Sequence, residues 1–276
     1  MRTIHDLSEN FSDGLLFPKG TSAERGNPEA GYFRYNTETK GIEVYDGTSW
    51  SSMDNTPSYV TDGLVLNLDA GNLNSYDGSG TTWSDLSQEG NDGTVNGATY
   101  DSNNSFDFDG SNDYINLTSH SSRFDFGTGN FSAEAWVKGS VNGDYRCIFW
   151  HHYDPGFSLI TTYGQSPNGA ARFWLGGTVV NGNTSILDNT WHHVIVTRGG
   201  ATVTIYVDGA QDASSSAFSG KSATTTIAQA AIGQYNVSST SYPFDGEISV
   251  VRIYEKTLTA EEALINFNAT KTRFGL

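Results

Sequence analysis

Two pairs of adjacent histidines are the first residues in the sequence that could do chemistry. His151 with His152 and His192 with His193 could present four imidazoles to a transition metal. Adjacent residues on a β-strand point to opposite faces, so at most one histidine of each pair can reach a shared site. Because both pairs lie in segments that favour strands, we interpret them as structural residues.

Carboxylate pairs are a second candidate, because retaining glycosidases use two acids about 5 Å apart. Asp245 and Glu247 stand two residues apart and would share a face of a regular strand, and Glu134 precedes Trp136 by two positions. Neither place offers a further acid in the same strand pattern to tune such a pair. The sequence also lacks a Ser/His/Asp order, a phosphate-binding loop and a cofactor fingerprint. We therefore predict that the protein is not an enzyme.

An aromatic cluster in the middle of the chain could bind sugar. Trp150, Tyr153 and Tyr163 stand among polar side chains, and exposed rings of this kind stack on sugar faces while polar neighbours bond the hydroxyls. The alternative is that Trp150 and Trp174 are core residues and the tyrosines lie at the rim, since β-sandwich cores bury most of their large aromatic residues. We favour the core interpretation and keep Trp150, Tyr153 and Tyr163 as the candidate glycan platform.

The composition limits the partners of these residues. The chain has 31 Asp and Glu against 15 Lys and Arg, which predicts no nucleic-acid binding and no attraction to anionic membranes. One cysteine, Cys147, excludes an internal disulfide and a Cys-rich zinc site. The sequence contains no apolar run long enough for a signal peptide or a membrane span. We expect synthesis in a cytoplasm, no secretion by a signal peptide and no membrane insertion.

The elements that must position these residues are mostly short strands. From about residue 57 to 276, runs rich in Val, Ile, Phe, Tyr and Trp alternate with Gly/Asn/Asp/Ser turns, without interleaved helices. This pattern predicts an all-β antiparallel jelly-roll sandwich. The predicted strands are 64–68, 105–108, 113–117, 131–138, 145–151, 171–175, 191–198, 202–207 and 246–254.

A short helix is predicted at the C-terminus. Thr259 and Glu262 have the spacing of a capping box, in which both side chains satisfy backbone amides at the start of a helix. Leu264 and Phe267, three residues apart, would give this helix an apolar side to lay on the sandwich.

The N-terminal part of the chain has a different residue pattern. Residues 1–25 are polar and weakly patterned and are interpreted as an arm, whereas residues 26–56 alternate around tight turns and predict a small β-hairpin module. A lone hairpin is marginally stable in water, so its aromatic residues must pack on another surface. Copies of the same segment around a symmetry axis would provide one, and we predict a homotrimer. The oligomerisation residues would be Tyr32, Tyr35, Tyr45 and Trp50.

Five sequence blocks carry a family resemblance. They are FDGSNDYI (108–115), FSAEAWVK (131–138), WHHVIVTR (191–198), TIYVDG (204–209) and FDGEISVVRIY (244–254). In this order they resemble a laminin-G-like domain of the concanavalin A-like superfamily. The resemblance covers about the last four-fifths of the chain and implies a jelly-roll sandwich. The superfamily includes lectins, adhesion modules and inert structural domains, so the fold alone does not decide the function.

Further segments resemble bacteriophage proteins. GLVLNLDAGN (63–72) and TWSDLS (82–87) resemble versions of this domain common in marine phage proteins, and the N-terminal hairpin is similar to a small module of tailed-phage fibre and appendage proteins. This resemblance implies a virion structural protein: a fibre, appendage or capsid-decorating subunit that contacts its own copies and other virion proteins. The alternative is a carbohydrate-binding adhesin that recognises a host-surface glycan.

The resemblance also implies a structural Ca²⁺, which many members of the superfamily hold near the ends of the sandwich. Oxygen ligands on Gly/Asn/Asp-rich loops suit this ion. The candidate ligands are Asp69, Asp85, Asp92 and Asp245. The alternative is that these residues only form turns, in which aspartate is common.

Overall fold

The chain folds as two compact units, Met1–Pro57 and Ser58–Leu276. The structure, a computed structural model, describes residues 17–26, 28–38, 41–52, 59–101, 103–141, 143–152, 155–225, 228–235 and 241–276. Within these ranges, no helix is long and apolar enough to cross a membrane.

The N-terminal unit is a four-stranded sheet. Its strands are β1 (Lys19–Gly20), β2 (Tyr32–Asn36), β3 (Gly41–Tyr45) and β4 (Trp50–Ser52), in that spatial order. β2, β3 and β4 are antiparallel, and β1 pairs in parallel with β2. Part of the predicted arm, β1, therefore belongs to the same sheet as the hairpin.

The connection between β1 and β2 lies against one face of this sheet. Tyr32, Tyr45 and Trp50 are in register across three strands, with the Trp50 ring 6.2 Å from that of Tyr32 and 5.4 Å from that of Tyr45. The Trp50 indole donates a hydrogen bond to the Gly26 carbonyl. Three of the four predicted oligomerisation residues thus pack on one another.

The opposite face of the N-terminal sheet, here called the open face, carries Phe33, Tyr35, Ile42 and Val44, as strand alternation requires. Tyr35 is 37% exposed and the other three are half-buried. Among the described residues of this unit, Tyr45 is the single buried hydrophobic side chain. The unit therefore has almost no apolar core of its own.

The second unit is a sandwich of two sheets and confirms the all-β prediction. Sheet I has the order β18-β17-β16-β11-β20-β9-β8, with β5 also pairing with β20, and sheet II has the order β15-β14-β13-β12-β19-β10-β7-β6. The strands are β5 (Leu64–Asp69), β6 (Thr82–Trp83), β7 (Gly93–Asn96), β8 (Thr99–Asp101), β9 (Ser105–Asp109), β10 (Tyr114–Asn116), β11 (Phe131–Gly139), β12 (Cys147–His151), β13 (Phe157–Thr161), β14 (Ala170–Leu175), β15 (Thr178–Ser185), β16 (His192–Gly199), β17 (Thr202–Val207), β18 (Ala210–Ser215), β19 (Ala231–Ile232) and β20 (Asp245–Tyr254).

The apolar core lies between the two sheets. Phe131 of sheet I packs against Phe157 and Phe173 of sheet II, with ring centroids 4.7 and 6.1 Å away. All nine predicted strands are present, with ends within two residues of the prediction. Seven further strands were missed, among them β6 and β19, which have two residues each, and β15, which carries Asn, Gly and Ser instead of a regular apolar pattern.

A C-terminal helix, α1 (Ala260–Thr270), is followed by a 3-10 turn, Lys271–Phe274. The predicted capping box is confirmed: Glu262 N–H donates to Thr259 Oγ1 and Thr259 N–H donates to Glu262 Oε2. The predicted apolar side is partly wrong, because Leu264 is 45% exposed while Ala263 and Asn266 are buried. A polar side chain turns inward here because the sheet surface beneath the helix is polar.

Candidate functional site

The histidine pairs are separated by the fold. His151 is fully buried beside Asp125, and burial lowers its pKa to about 4. His192 lies between two carboxylates, 2.8 Å from Asp208 and 3.2 Å from Asp188, and the hydrogen bond that it donates to Asp208 raises its pKa. These positions agree with the interpretation of the histidines as structural residues.

The carboxylates of sheet I are engaged by their neighbours. Glu247 accepts hydrogen bonds from Lys138 Nζ at 2.7 Å and from Ser105 Oγ at 2.8 Å. Asp245 Oδ2 lies 3.9 Å from the guanidinium of Arg146.

Glu134 lies under helix α1 and is completely buried with Arg252. Arg252 Nη1 donates to Glu134 Oε1 at 2.6 Å, and Arg252 Nε donates to Asn67. His193 Nε2 lies 3.1 Å from the same carboxylate, and Asn266 of the helix donates to its other oxygen. Burial alone would raise the pKa of Glu134, but the charge of Arg252 and the hydrogen bonds outweigh it and lower the pKa to about 2. This buried network has the features of a structural contact that holds helix α1 against sheet I, and not those of an active site.

Asp85, a candidate calcium ligand, organises a loop. Its two oxygens accept from the backbone amides of Asn67, Ser87 and Asn91 and from the Ser87 hydroxyl, at 2.6–2.9 Å. Four donors fill the usual capacity of a carboxylate. Asp92 in turn accepts from the Asp85 amide. These contacts are those of a turn, and they do not fit Asp85 as an ion ligand.

Asp69 and Asp245, the other two candidates, also have protein partners. Asp69 Oδ1 accepts from Arg273 at 2.7 Å and from the Gly71 amide at 2.9 Å, whereas Asp245 faces Arg146. Within the part of the chain that the structure describes, no group of three or more His, Cys, Asp or Glu side chains is placed to hold a metal ion. Calcium binding stays a prediction.

A surface pocket of about 370 Å³ lies on the outer face of sheet II. We call it the tyrosine pocket; it is lined by Tyr145, Ile160, Arg172, Trp174, Tyr235 and Tyr242. The Tyr242 ring lies 5.2 Å from that of Tyr145 and 5.1 Å from that of Tyr235, both nearly edge-on. The pocket thus combines several half-buried rings with one cation.

Strand alternation places the two side chains from β14. Arg172 and Trp174 are two residues apart and share the outer face, while Phe173 between them points into the core. The Arg172 guanidinium lies 5.7 Å from the Tyr145 ring centroid and 5.8 Å from that of Trp174. Such distances allow favourable cation–π contacts.

Neither described residue of the predicted glycan platform lines this pocket, although both lie beside it. Trp150 is 2% exposed and lies beneath the surface, with its ring 5.9 Å from that of Tyr235, so it supports the pocket and does not contact a ligand. Tyr163 is 39% exposed and its ring lies 6.1 Å from that of Tyr145. Tyr153 lies outside the described residues.

Sequence reasoning missed five residues of the pocket, Tyr145, Ile160, Arg172, Tyr235 and Tyr242, and it assigned the sixth, Trp174, to the core. The signal for Arg172 was available, because a charged residue two positions before Trp174 in an otherwise apolar strand must face outward. No comparable signal exists for Tyr145 and Tyr242, which meet from loops far apart in the chain.

Comparison with known proteins gives a family match. The model described as the concanavalin A-like lectin/glucanases superfamily matches residues 109–263, which is more than half of the chain. A search of curated proteins gives no match.

Several solved structures share the fold. Domain 4 of the arabinanase AbnA from Geobacillus stearothermophilus, in complex with arabinotriose, is 20% identical with a TM-score of 0.54, covering 73% of this chain and 96% of that domain. A Trypanosoma rangeli sialidase is 18% identical with a TM-score of 0.52, covering 76% of this chain. The botulinum neurotoxin serotype D binding domain is 17% identical with a TM-score of 0.52, covering 76% of this chain and 52% of that one. The match spans only 33% of the sialidase chain, and at these identities the likeness shows the fold alone.

Proposed function

The chain belongs to the concanavalin A-like lectin/glucanases superfamily, and from this premise we propose that its sandwich is a carbohydrate-binding module that holds a glycan in the tyrosine pocket. The observation that carries this proposal is the pocket itself, in which half-buried rings surround polar groups. Rings of this kind can stack on the apolar face of a sugar, while the tyrosine hydroxyls and Arg172 can bond its hydroxyl groups.

We propose binding without hydrolysis. No carboxylate is among the residues that line the tyrosine pocket in the described part of the chain. Glycoside hydrolysis generally needs two carboxyl groups flanking the bond that is cleaved. Glu134, which is completely buried under helix α1, is out of reach of a substrate.

Replacing Trp174 by alanine should weaken glycan binding by at least about tenfold, because loss of a central aromatic contact costs about 1.4 kcal/mol or more. The measurement is a glycan array on the full chain, followed by calorimetric titration of the glycans that bind.

The matched control is Trp191→Ala, which removes an indole that packs on Phe274, outside the tyrosine pocket. This variant should keep the affinity of the parent protein. Equal loss of binding in both variants, or no binding of any glycan by the parent protein, would refute the proposed function.

A second proposal concerns the N-terminal unit: it assembles the chain as a homotrimeric subunit of a bacteriophage virion, where the sandwich is displayed toward a host-surface glycan. The open face supports this proposal, because Phe33, Tyr35, Ile42 and Val44 leave apolar surface partly exposed in a unit with almost no core. A small sheet of this kind needs another surface for stability, and two further copies would cover it. The resemblance of the hairpin to phage fibre modules supports the virion role.

Native mass spectrometry tests the assembly. The full chain should be a trimer at micromolar concentration, and residues 58–276 alone should be monomeric. Tyr35→Asp should dissociate the trimer, because it places a charge in an apolar contact. Leu73→Asp is the matched control, since Leu73 is 76% exposed on the sandwich. A full chain that is monomeric under these conditions would contradict the assembly.

A further inference from the structure

Sheet II is unusual in charge. Its eight strands, as the structure describes them, contain no aspartate or glutamate, although the chain has 31. By contrast, β9 and β20 of sheet I alone contribute Asp107, Asp109, Asp245 and Glu247. Arg172 is the single Lys or Arg in the strands of sheet II. In a protein of net charge −16, the tyrosine pocket therefore lies on a sheet surface without strand carboxylates and with one cation.

In the described part of the chain, neutral side chains hold Arg172 in place, and they engage only one nitrogen of its guanidinium group. Its Nη1 donates to Asn181 Oδ1 at 3.0 Å and lies 3.5 Å from Gln165 Oε1. Asn181 Nδ2 donates to Gln165 at 2.7 Å, so the two amides form a fixed support. The Arg172 Nε is buried and has no hydrogen-bond partner among the described residues.

The partners of Arg172 are neutral. Neither Asn181 nor Gln165 carries a charge, and no ion pair joins Arg172 to a carboxylate within the described ranges. A guanidinium has five N–H donors in a planar fork that matches a carboxylate. A half-buried arginine beside two aromatic rings, with only neutral hydrogen-bond partners among the described residues, therefore lacks the anion that its chemistry favours.

We propose that the tyrosine pocket selects a sugar that carries a carboxylate, with Arg172 pairing with that group while Trp174 and the tyrosines contact the ring. This inference rests on the proposed carbohydrate binding and names its substrate class, acidic glycans. The net negative charge of the protein disfavours anionic ligands in general, and a pocket on a sheet without strand carboxylates reduces that repulsion.

The test uses the full chain and matched pairs of glycans. Oligogalacturonate is compared with its methyl ester, and sialyllactose with its methyl ester, so that the two arms separate uronates from sialic-acid sugars. In at least one pair the carboxylated glycan should bind about 10- to 100-fold more tightly. This preference should shrink as NaCl is raised from 0.05 to about 0.5 M, because salt screens the charge pair.

Arg172→Gln should abolish the preference, and Arg172→Lys should retain part of it, because lysine keeps the charge but loses the planar fork. Arg123→Gln is the matched control: Arg123 is 38% exposed, pairs with Glu89 and Glu255, and does not line the pocket. Unchanged thermal melting of Arg172→Gln would show that the variant is folded.

The outcomes separate the two proposals. Equal binding of both members of every pair, with Arg172→Gln unchanged, would overturn the selectivity for acidic sugars and leave carbohydrate binding intact. If Arg123→Gln reduces the preference as much as Arg172→Gln does, the selectivity for acidic sugars would also be overturned, while carbohydrate binding would remain. Absence of any glycan binding, neutral or acidic, would refute the proposed function and this inference with it.

Discussion

Glu134→Gln should lower the free energy of unfolding of the sandwich by about 3–5 kcal/mol, because it leaves Arg252 as a buried charge without its counter-ion. Both side chains are completely buried, and their 2.6 Å contact joins neighbouring strands of sheet I beneath helix α1. Loss of the Glu134 carboxylate should also weaken the attachment of helix α1 to sheet I, since Asn266 of the helix donates a hydrogen bond to that carboxylate. Urea unfolding followed by tryptophan fluorescence measures this change.

The free energy of unfolding at acid pH gives a second measurement of the contribution of Glu134. The pKa of Glu134 is about 2 in the folded protein and about 4.5 when unperturbed. A lowered carboxyl pKa contributes stability that is fully present above about pH 4.5 and is lost as the pH falls toward 2. In Glu134→Gln this part of the acid dependence should be missing.

Glu247→Gln is the control for this prediction. Glu247 also pairs with a cation, Lys138, but the lysine is 36% exposed, and such pairs contribute about 1 kcal/mol or less. The double variant Glu134→Gln with Arg252→Met should recover part of the lost free energy of unfolding, because it also removes the unpaired buried charge of Arg252. A cost below about 1 kcal/mol for Glu134→Gln would show that the network does not stabilise the fold.

Glu43→Gln should unfold the N-terminal unit while the sandwich stays folded. Glu43 is 3% exposed and accepts from Arg25 at 2.6 Å and from Asn36 at 3.0 Å, and Arg34 lies 3.3 Å away. The hydrogen bond from Arg25 is the main cause of its lowered pKa. Hydrogen bonds to charged groups contribute about 1.5–3 kcal/mol each, and this unit has almost no apolar core to compensate for their loss.

Limited proteolysis with mass spectrometry measures the effect. Cleavage within residues 17–52 should become much faster in Glu43→Gln, while residues 59–276 remain resistant, and the trimer should dissociate with the loss of the open face. Glu29→Gln, at an exposed position of the same unit, should behave as the parent protein. An N-terminal unit that stays protected in Glu43→Gln would mean that it does not depend on this cluster.

The apolar alternation, the turn residues and the capping box were enough to predict the sandwich, nine of its strands and the start of helix α1. These features are local, since each depends on residues that are neighbours in the chain. The same local pattern placed Tyr32, Tyr45 and Trp50 together, and it also shows why Tyr35 lies on the other face of the sheet.

The tertiary structure decided which side chains meet. Tyr145 and Tyr242 form one pocket, and Glu134 and Arg252 form one ion pair, only because the pairing of distant strands brings them together. The partial exposure of Trp174 and the exposure of Leu264 likewise depend on what covers each surface. Strand register over a hundred residues is set by the sum of many contacts across the core, and no single segment of the sequence encodes it. The sequence alone thus determined a sandwich, and the tertiary structure decided which side chains line its surface pocket.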